Sequence, residues 1–241
     1  MFARFFSAAL LAAALAVPAL AAPYWVAWDG DGFPENQGWE RVYGNEDGPH
    51  EGGAARTIHE GVMTIDSLRS NQIYDFYELD RPIDPDPGEL FVAEWRVQIA
   101  ANEGNPGAAD SGVVIAPDGS GTLGLSYVVD RIVSDLEGWT EPIAPFEFHA
   151  YRIESTDMVT YSLWIDGIFT RNGTWDLFSL NTSFVAFGDG VQGARSFADW
   201  DHVRFGVVPE PASFVMFVLA TLLTSRCRHL LVPSQCWGVG A

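Results

Sequence analysis

The sequence predicts an all-β domain, a two-sheet antiparallel β-sandwich of the jelly-roll kind, carried between two hydrophobic terminal segments. Three observations predict it. Apolar and polar residues alternate with period two in several short runs, the signature of strands with one buried face. Turn formers punctuate those runs, with 24 Gly and 14 Pro in 241 residues. No helical apolar stripe is found between Pro23 and Val207. A hydrophobic share of 48% with 9 Trp and 16 Phe is ample for a packed core and excludes a disordered chain.

The strands follow from the pattern in order. Ile73 to Leu79 is aromatic-rich and favours strand. Leu90 to Ala100 is the clearest: Phe91, Ala93, Trp95, Val97 and Ile99 share one face, and Glu94, Arg96 and Gln98 the other. Gly112 to Ala116 and Thr122 to Val129 flank the turn Pro117-Asp118-Gly119. Ala150 to Ser155 and Thr160 to Ile165 are joined by Thr156-Asp157-Met158-Val159, and Asp166-Gly167 turns the chain into Ile168 to Arg171. Phe184 to Phe187 and Trp200 to Val207 complete a set of about nine to twelve short strands. Alternation places Trp95 and Trp164 in the core.

The ends read as address labels. Arg4, the apolar run Phe5 to Val17 and the small-x-small sequence Ala19-Leu20-Ala21 predict a secretory signal over 1–21. A single folded domain over 22–207 follows. Near the other end, Pro209-Glu210-Pro211 precedes an uncharged run, Phe214 to Thr224, then Arg226 and Arg228. The run is short for a full bilayer crossing, which takes about 20 residues. Two prolines around Glu210 disfavour helix and sheet pairing and keep that stretch open to a processing enzyme. The only cysteines, Cys227 and Cys236, lie beyond this run, so the predicted domain has no disulfide and no zinc-type cysteine cluster.

The order Pro-Glu-Pro, apolar helix, arginine pair closely resembles the PEP-CTERM sorting signal of exopolysaccharide-producing bacteria. It covers 208–228 and leaves an atypical tail over 229–241. The resemblance implies export, a transient membrane anchor through the hydrophobic helix, and an exosortase-type membrane enzyme as partner. Its signal residues are Pro209, Glu210, Pro211, Arg226 and Arg228.

The middle of the chain resembles the concanavalin A-like lectin/glucanase superfamily in its LamG-like form. The likeness is carried by Trp28-Asp29-Gly30-Asp31-Gly32-Phe33 with Trp39, by the hairpin from Tyr151-Arg152-Ile153-Glu154 to Asp166-Gly167, and by the strand Ala198-Asp199-Trp200-Asp201-His202-Val203-Arg204-Phe205. It implies two curved sheets with first and last strands adjacent, carbohydrate on a concave face in many members, and calcium in some.

Charge bounds the partners. With 13 basic residues, all Arg, against 32 acidic ones, the net charge is −19, which excludes nucleic-acid binding and favours bound cations or simple solubility. Calcium, a hard cation that takes carboxylates and carbonyls, is the expected ligand of Asp29, Asp31, Asp199 and Asp201, which converge if the first and last strands pair. Tyr74, Tyr77, Tyr127 and Trp139, placed near strand or loop ends, are the candidate sugar-stacking rings. No Glu-x-Asp-x-x-Glu run, Gly-x-Ser-x-Gly elbow, His-Glu-x-x-His or phosphate loop is present, and the histidines show no ligand spacing. The sequence therefore predicts a non-catalytic, exported, cell-surface or matrix protein that binds or organises extracellular polysaccharide. A glycan hydrolase on the same fold and a ligand-free structural envelope protein remain the alternatives.

Overall fold

Backbone hydrogen bonds in a chain of short alternating segments can be satisfied only between segments, and the fold is the result. The structure, a computed structural model, describes residues 26–44, 53–68, 74–103, 111–117, 121–134, 136–175, 183–189 and 195–209. In chain order these form β1 (Val26–Trp28), a 3₁₀ turn (Pro34–Gln37), β2 (Glu40–Gly44), β3 (Ala55–His59), β4 (Val62–Asp66), β5 (Tyr74–Asp80), β6 (Glu89–Glu103) and β7 (Ser111–Ala116). Then follow β8 (Leu123–Val128), β9 (Arg131–Ser134), β10 (Trp139–Pro142), β11 (His149–Ser155), β12 (Thr160–Ile165), β13 (Ile168–Thr174), β14 (Phe184–Asp189) and β15 (Arg195–Pro209). The signal over 1–21 and the run after Pro209 lie outside the described residues. Among the described residues no helix is long and apolar enough to cross a membrane.

Two antiparallel sheets enclose the core. The first has the order β13-β12-β11-β6-β15-β4-β3, with β1 also on β15; the second has the order β10-β9-β8-β7-β14-β5-β2. First and last strands are adjacent as expected, Val26 opposite Phe205 and Trp28 opposite Val203. Inward residues of β6 (Phe91, Ala93, Trp95, Val97, Ile99) meet Trp200, Val203 and Phe205 of β15 and Tyr127, Val185 and Phe187 of the second sheet. Aromatic rings dominate the centre: Phe187 contacts Trp28, Trp39, Tyr77 and Trp200 at centroid distances of 5.0–5.5 Å. Such pairs add to the large apolar area each ring removes from water.

Local chemistry shapes the turns. Between β11 and β12, the Asp157 carboxylate accepts from the backbone N–H of Val159 (2.9 Å) and Thr160 (2.8 Å). These bonds to its charged form hold its pKa below the usual carboxylate value. Asp29 to Gly32 form the turn after β1, where Gly30 takes φ +76° and packs directly on Gly61, in the turn between β3 and β4. Trp28 Nε1 donates to the Gly32 carbonyl at 2.7 Å. The last strand continues two residues past Val207, so Pro209, opposite Glu89, ends it.

The aromatic expectations need correction on one point of parity. Trp95 is fully buried, and its Nε1 donates to the Tyr127 hydroxyl at 2.5 Å. Trp164 is not in the core: in β12 Tyr161 and Leu163 point inward, and the alternate set Ser162 and Trp164 points outward.

Candidate functional site

Two outer faces of the sandwich carry the candidate chemistry. On the second sheet the outward positions run Phe76, Gly188, Gly112, Ser126 in one row and Glu78, Ala186, Val114, Gly124 in the next. Such small side chains leave a trough of about 200 Å³ whose floor is largely backbone, flanked by Phe76, Phe184 and Glu78. The glycines have a packing reason. A Cβ on Gly112 would lie 2.8 Å from the Leu125 carbonyl oxygen, and one on Gly188 2.7 Å from the Phe76 Cα.

One edge of the trough is acidic. Glu78 stands directly opposite Glu40 of β2, and Asp80 follows two residues on along the same face. Opposed side chains on neighbouring strands have Cβ atoms about 4.5–5.5 Å apart. The Glu78 pKa is raised, first by burial, then by the negative charges of Asp80 and Glu40, and by a hydrogen bond with Asp80 that its protonated form makes. The sequence reading missed this cluster. Its local signal, Glu-x-Asp at 78–80, is weak, and Glu40 joins it only through strand pairing.

On the first sheet's outer face lie three of the four aspartates expected to hold calcium. Asp29 Oδ1 accepts from Arg204 Nε at 2.7 Å, Asp201 Oδ2 from an Arg96 guanidinium N–H at 3.0 Å, and Asp199 Oδ1 from the Thr64 hydroxyl at 2.5 Å. Asp201 is the extra residue of a β-bulge, since Trp200 pairs with Val97 and His202 with Arg96. Asp31 is exposed in the turn after β1. First and last strands do pair, yet Asp29 and Asp201 each face an arginine, which sets a positive charge where a cation would bind. Among the described residues no group of three or more His, Cys, Asp or Glu could hold a metal. The residues as placed do not fit calcium.

Three of the four expected stacking rings are also corrected. Tyr77 and Tyr127 are 0% exposed and Trp139 is 8% exposed, so all three are core or near-core. Tyr77 accepts a bond from Arg56, and burial pushes its pKa up to about 12. Trp139 lies beneath the Arg171 guanidinium, 4.2 Å from ring centroid to Cζ. Tyr74 is half-buried against Phe76. For Tyr77, Tyr127 and Trp139, proximity to strand ends was a poor guide, because sheet parity decides which way a ring points.

This architecture is a concanavalin A-like jelly-roll sandwich. No protein-family model matches the sequence, and no curated protein matches it. Solved structures do match. An endo-β-1,3-glucanase from Pyrococcus furiosus aligns with a TM-score of 0.54 at 12% identity, over 77% of this chain and 95% of that one. A protein of unknown function from Shewanella oneidensis aligns at 0.50 and 15% identity, over 84% and 94%. The Bacillus licheniformis β-glucanase aligns at 0.48 and 10%, over 75% and 96%. The expectation of a non-catalytic protein is overturned here. The endo-β-1,3-glucanase shows the same sandwich in a glucan hydrolase, so the fold itself is compatible with catalysis.

Proposed function

We propose that the domain takes a neutral polysaccharide chain along the trough of the second sheet and cleaves it with the Glu78 cluster. The observation that carries the reading is a carboxyl with a raised pKa beside two further carboxylates at the edge of an open, backbone-floored trough. Glycoside hydrolysis needs one carboxyl that keeps its proton and a second carboxylate facing the sugar. Glu78 supplies the first, and Glu40 or Asp80 the second. A small-residue floor suits a flat sugar ring, and the net charge of −19 disfavours acidic polymers. The polysaccharide class agrees with the activity named for the Pyrococcus furiosus neighbour.

The pH dependence has a definite sign. The folded Glu78 carboxyl holds its proton more tightly than the unfolded one. Its contribution to stability is full below the unfolded value of about 4.3 and is lost as pH rises through the raised folded value. Activity falls in the same direction, because the proton donor is spent. The test is reducing-end release from mixed-linkage β-1,3-1,4-glucan and from laminarin. Glu78→Gln is expected to lower release at least about 100-fold and to remove this share of the alkaline loss of stability. Equal release by variant and parent would sink the assignment.

Export and C-terminal sorting belong to the same reading. Signal cleavage after Ala21 and processing near Pro209-Glu210-Pro211 by an exosortase-type enzyme would deliver the domain outside, where polysaccharide is met. The expected result, read by mass spectrometry of both ends in a host with that enzyme, is a mature chain lacking 1–21 and the segment after the triplet. Glu210→Ala should leave uncleaved precursor; identical processing of parent and variant would contradict the sorting reading.

A further inference from the structure

The first sheet's outer face holds a second recess, about 400 Å³, lined by Glu94, Ala150, Arg152, Glu154, Trp164 and Gly167. It lies across the sandwich from the trough and shares no residue with it. Strand register builds it. Trp164 of β12 is opposite Arg152 of β11, and Arg152 is opposite Glu94 of β6. An indole, a guanidinium and a carboxylate therefore stand in one row across three strands.

Each member is held in place. The Trp164 ring is braced edge-on by Phe169 of β13, with centroids 5.4 Å apart. Arg152 donates from Nε to Glu154 Oε1 at 2.7 Å and from a terminal N–H to Glu94 Oε2 at 3.4 Å, clamping both carboxylates. Glu94 Oε1 also lies 3.6 Å from His202 Nε2 and 4.0 Å from an Arg204 nitrogen. The wall beside Ala150 and Gly167 is tied down as well. The His149 ring bridges Asp166 Oδ2 at 2.7 Å and the Ala144 carbonyl at 2.8 Å, and Ala150 N–H donates to Asp166 at 2.9 Å.

The chemistry selects the ligand. A planar indole presents a face on which the C–H side of a pyranose stacks. A carboxylate has about four acceptor sites and a guanidinium five donors, so an Arg-clamped carboxylate pair offers both to vicinal hydroxyls without moving. An acidic sugar is disfavoured, because Arg96, Arg152 and Arg204 on this face already meet Asp201, Glu94, Glu154 and Asp29, and the chain as a whole carries −19. A lipid is disfavoured by the charged lining. We propose that this recess is a second carbohydrate site, specific for a neutral sugar unit, with Trp164 as stacking platform and Glu94 and Glu154 as hydroxyl acceptors. The two-sidedness rests on the trough reading above. With both sites filled, one domain holds two chains on opposite faces and cross-links them.

The test uses the full-length chain carrying Glu78→Gln as the parent, so that the glucan is held and not cut, with mixed-linkage β-1,3-1,4-glucan and galactomannan as neutral probes and alginate as the acidic one. Affinity electrophoresis reads binding, and light scattering of the soluble polymer reads cross-linking. Trp164→Ala is expected to weaken retardation about tenfold and to abolish scattering, while Trp164→Phe keeps both, which separates stacking from misfolding. Ser126→Trp, which fills the trough, should abolish scattering yet leave binding through Trp164. Unchanged retardation and scattering by Trp164→Ala would overturn the recess and leave the trough standing. Loss through Trp164→Ala with no effect of Ser126→Trp on either readout would support the recess and overturn the trough. Stronger retardation by alginate than by either neutral polymer would overturn the ligand class. No retardation of the parent chain by either neutral polymer would overturn both sites.

Discussion

Asp75→Ala is expected to destabilise the domain by about 3–5 kcal/mol, the cost of leaving one half of a buried ion pair. Asp75 of β5 is 0% exposed, yet it points into the core between Tyr77 and the start of the sheet. Arg41 of β2 meets it with both arms of its fork: Nε donates to Oδ1 at 2.8 Å, and a terminal nitrogen donates to Oδ2. The backbone N–H of Ala54 donates to the same Oδ2, and Arg41 donates to the Ala54 carbonyl at 3.1 Å. One carboxylate thus fastens the edge strand β2, the start of β5 and the segment leading into β3. Removing it strands a guanidinium whose side chain is only 14% exposed. The double variant Arg41→Met/Asp75→Leu, which removes both charges, is expected to recover most of the loss. Urea unfolding of the three chains measures this. A single variant within about 0.5 kcal/mol of the parent would show that the pair is not a fastening.

Gly30→Ala carries the second large effect. At φ +76° a Cβ is strained, and here it would also lie 1.7 Å from the Gly61 carbonyl oxygen, inside its van der Waals shell. No rotamer relieves a clash between a Cβ and a backbone, so the turn after β1 must part from the turn between β3 and β4. A loss of at least about 3 kcal/mol is expected, from backbone strain and overpacking together. Gly61→Ala is the matched control. Its φ is +82°, but nothing lies within 4 Å of its Cβ, so only the conformational penalty of about 1–2 kcal/mol applies. Equal losses in the two variants, by thermal or urea unfolding, would refute the close approach as the cause.

The long strands were legible because their alternation is strong. β6 repeats its apolar residues from Phe91 to Ile99 without a break, and the structure buries that set. Short strands such as β9 and β10 passed unnoticed, since four residues cannot display a period. Polarity is a poor guide to the buried face of β5. Asp75 turns inward and Phe76 outward, an inversion that holds only because Arg41 arrives from a strand 34 residues away. The candidate sites were hidden for a related reason. Glu40 beside Glu78, and Trp164 beside Arg152 and Glu94, are products of register between strands, which one sequence read along its length does not display.

The pairing of β1 with β15 has a consequence for the timing of folding. The first sheet places the last-made strand at its middle, between β6 and β4, and that strand also holds the first-made one. A ribosome therefore releases nearly the whole domain before the sheet can close, and such non-local contacts form slowly. Until Arg195–Pro209 is made, the first sheet lacks the strand that joins β6 to β4.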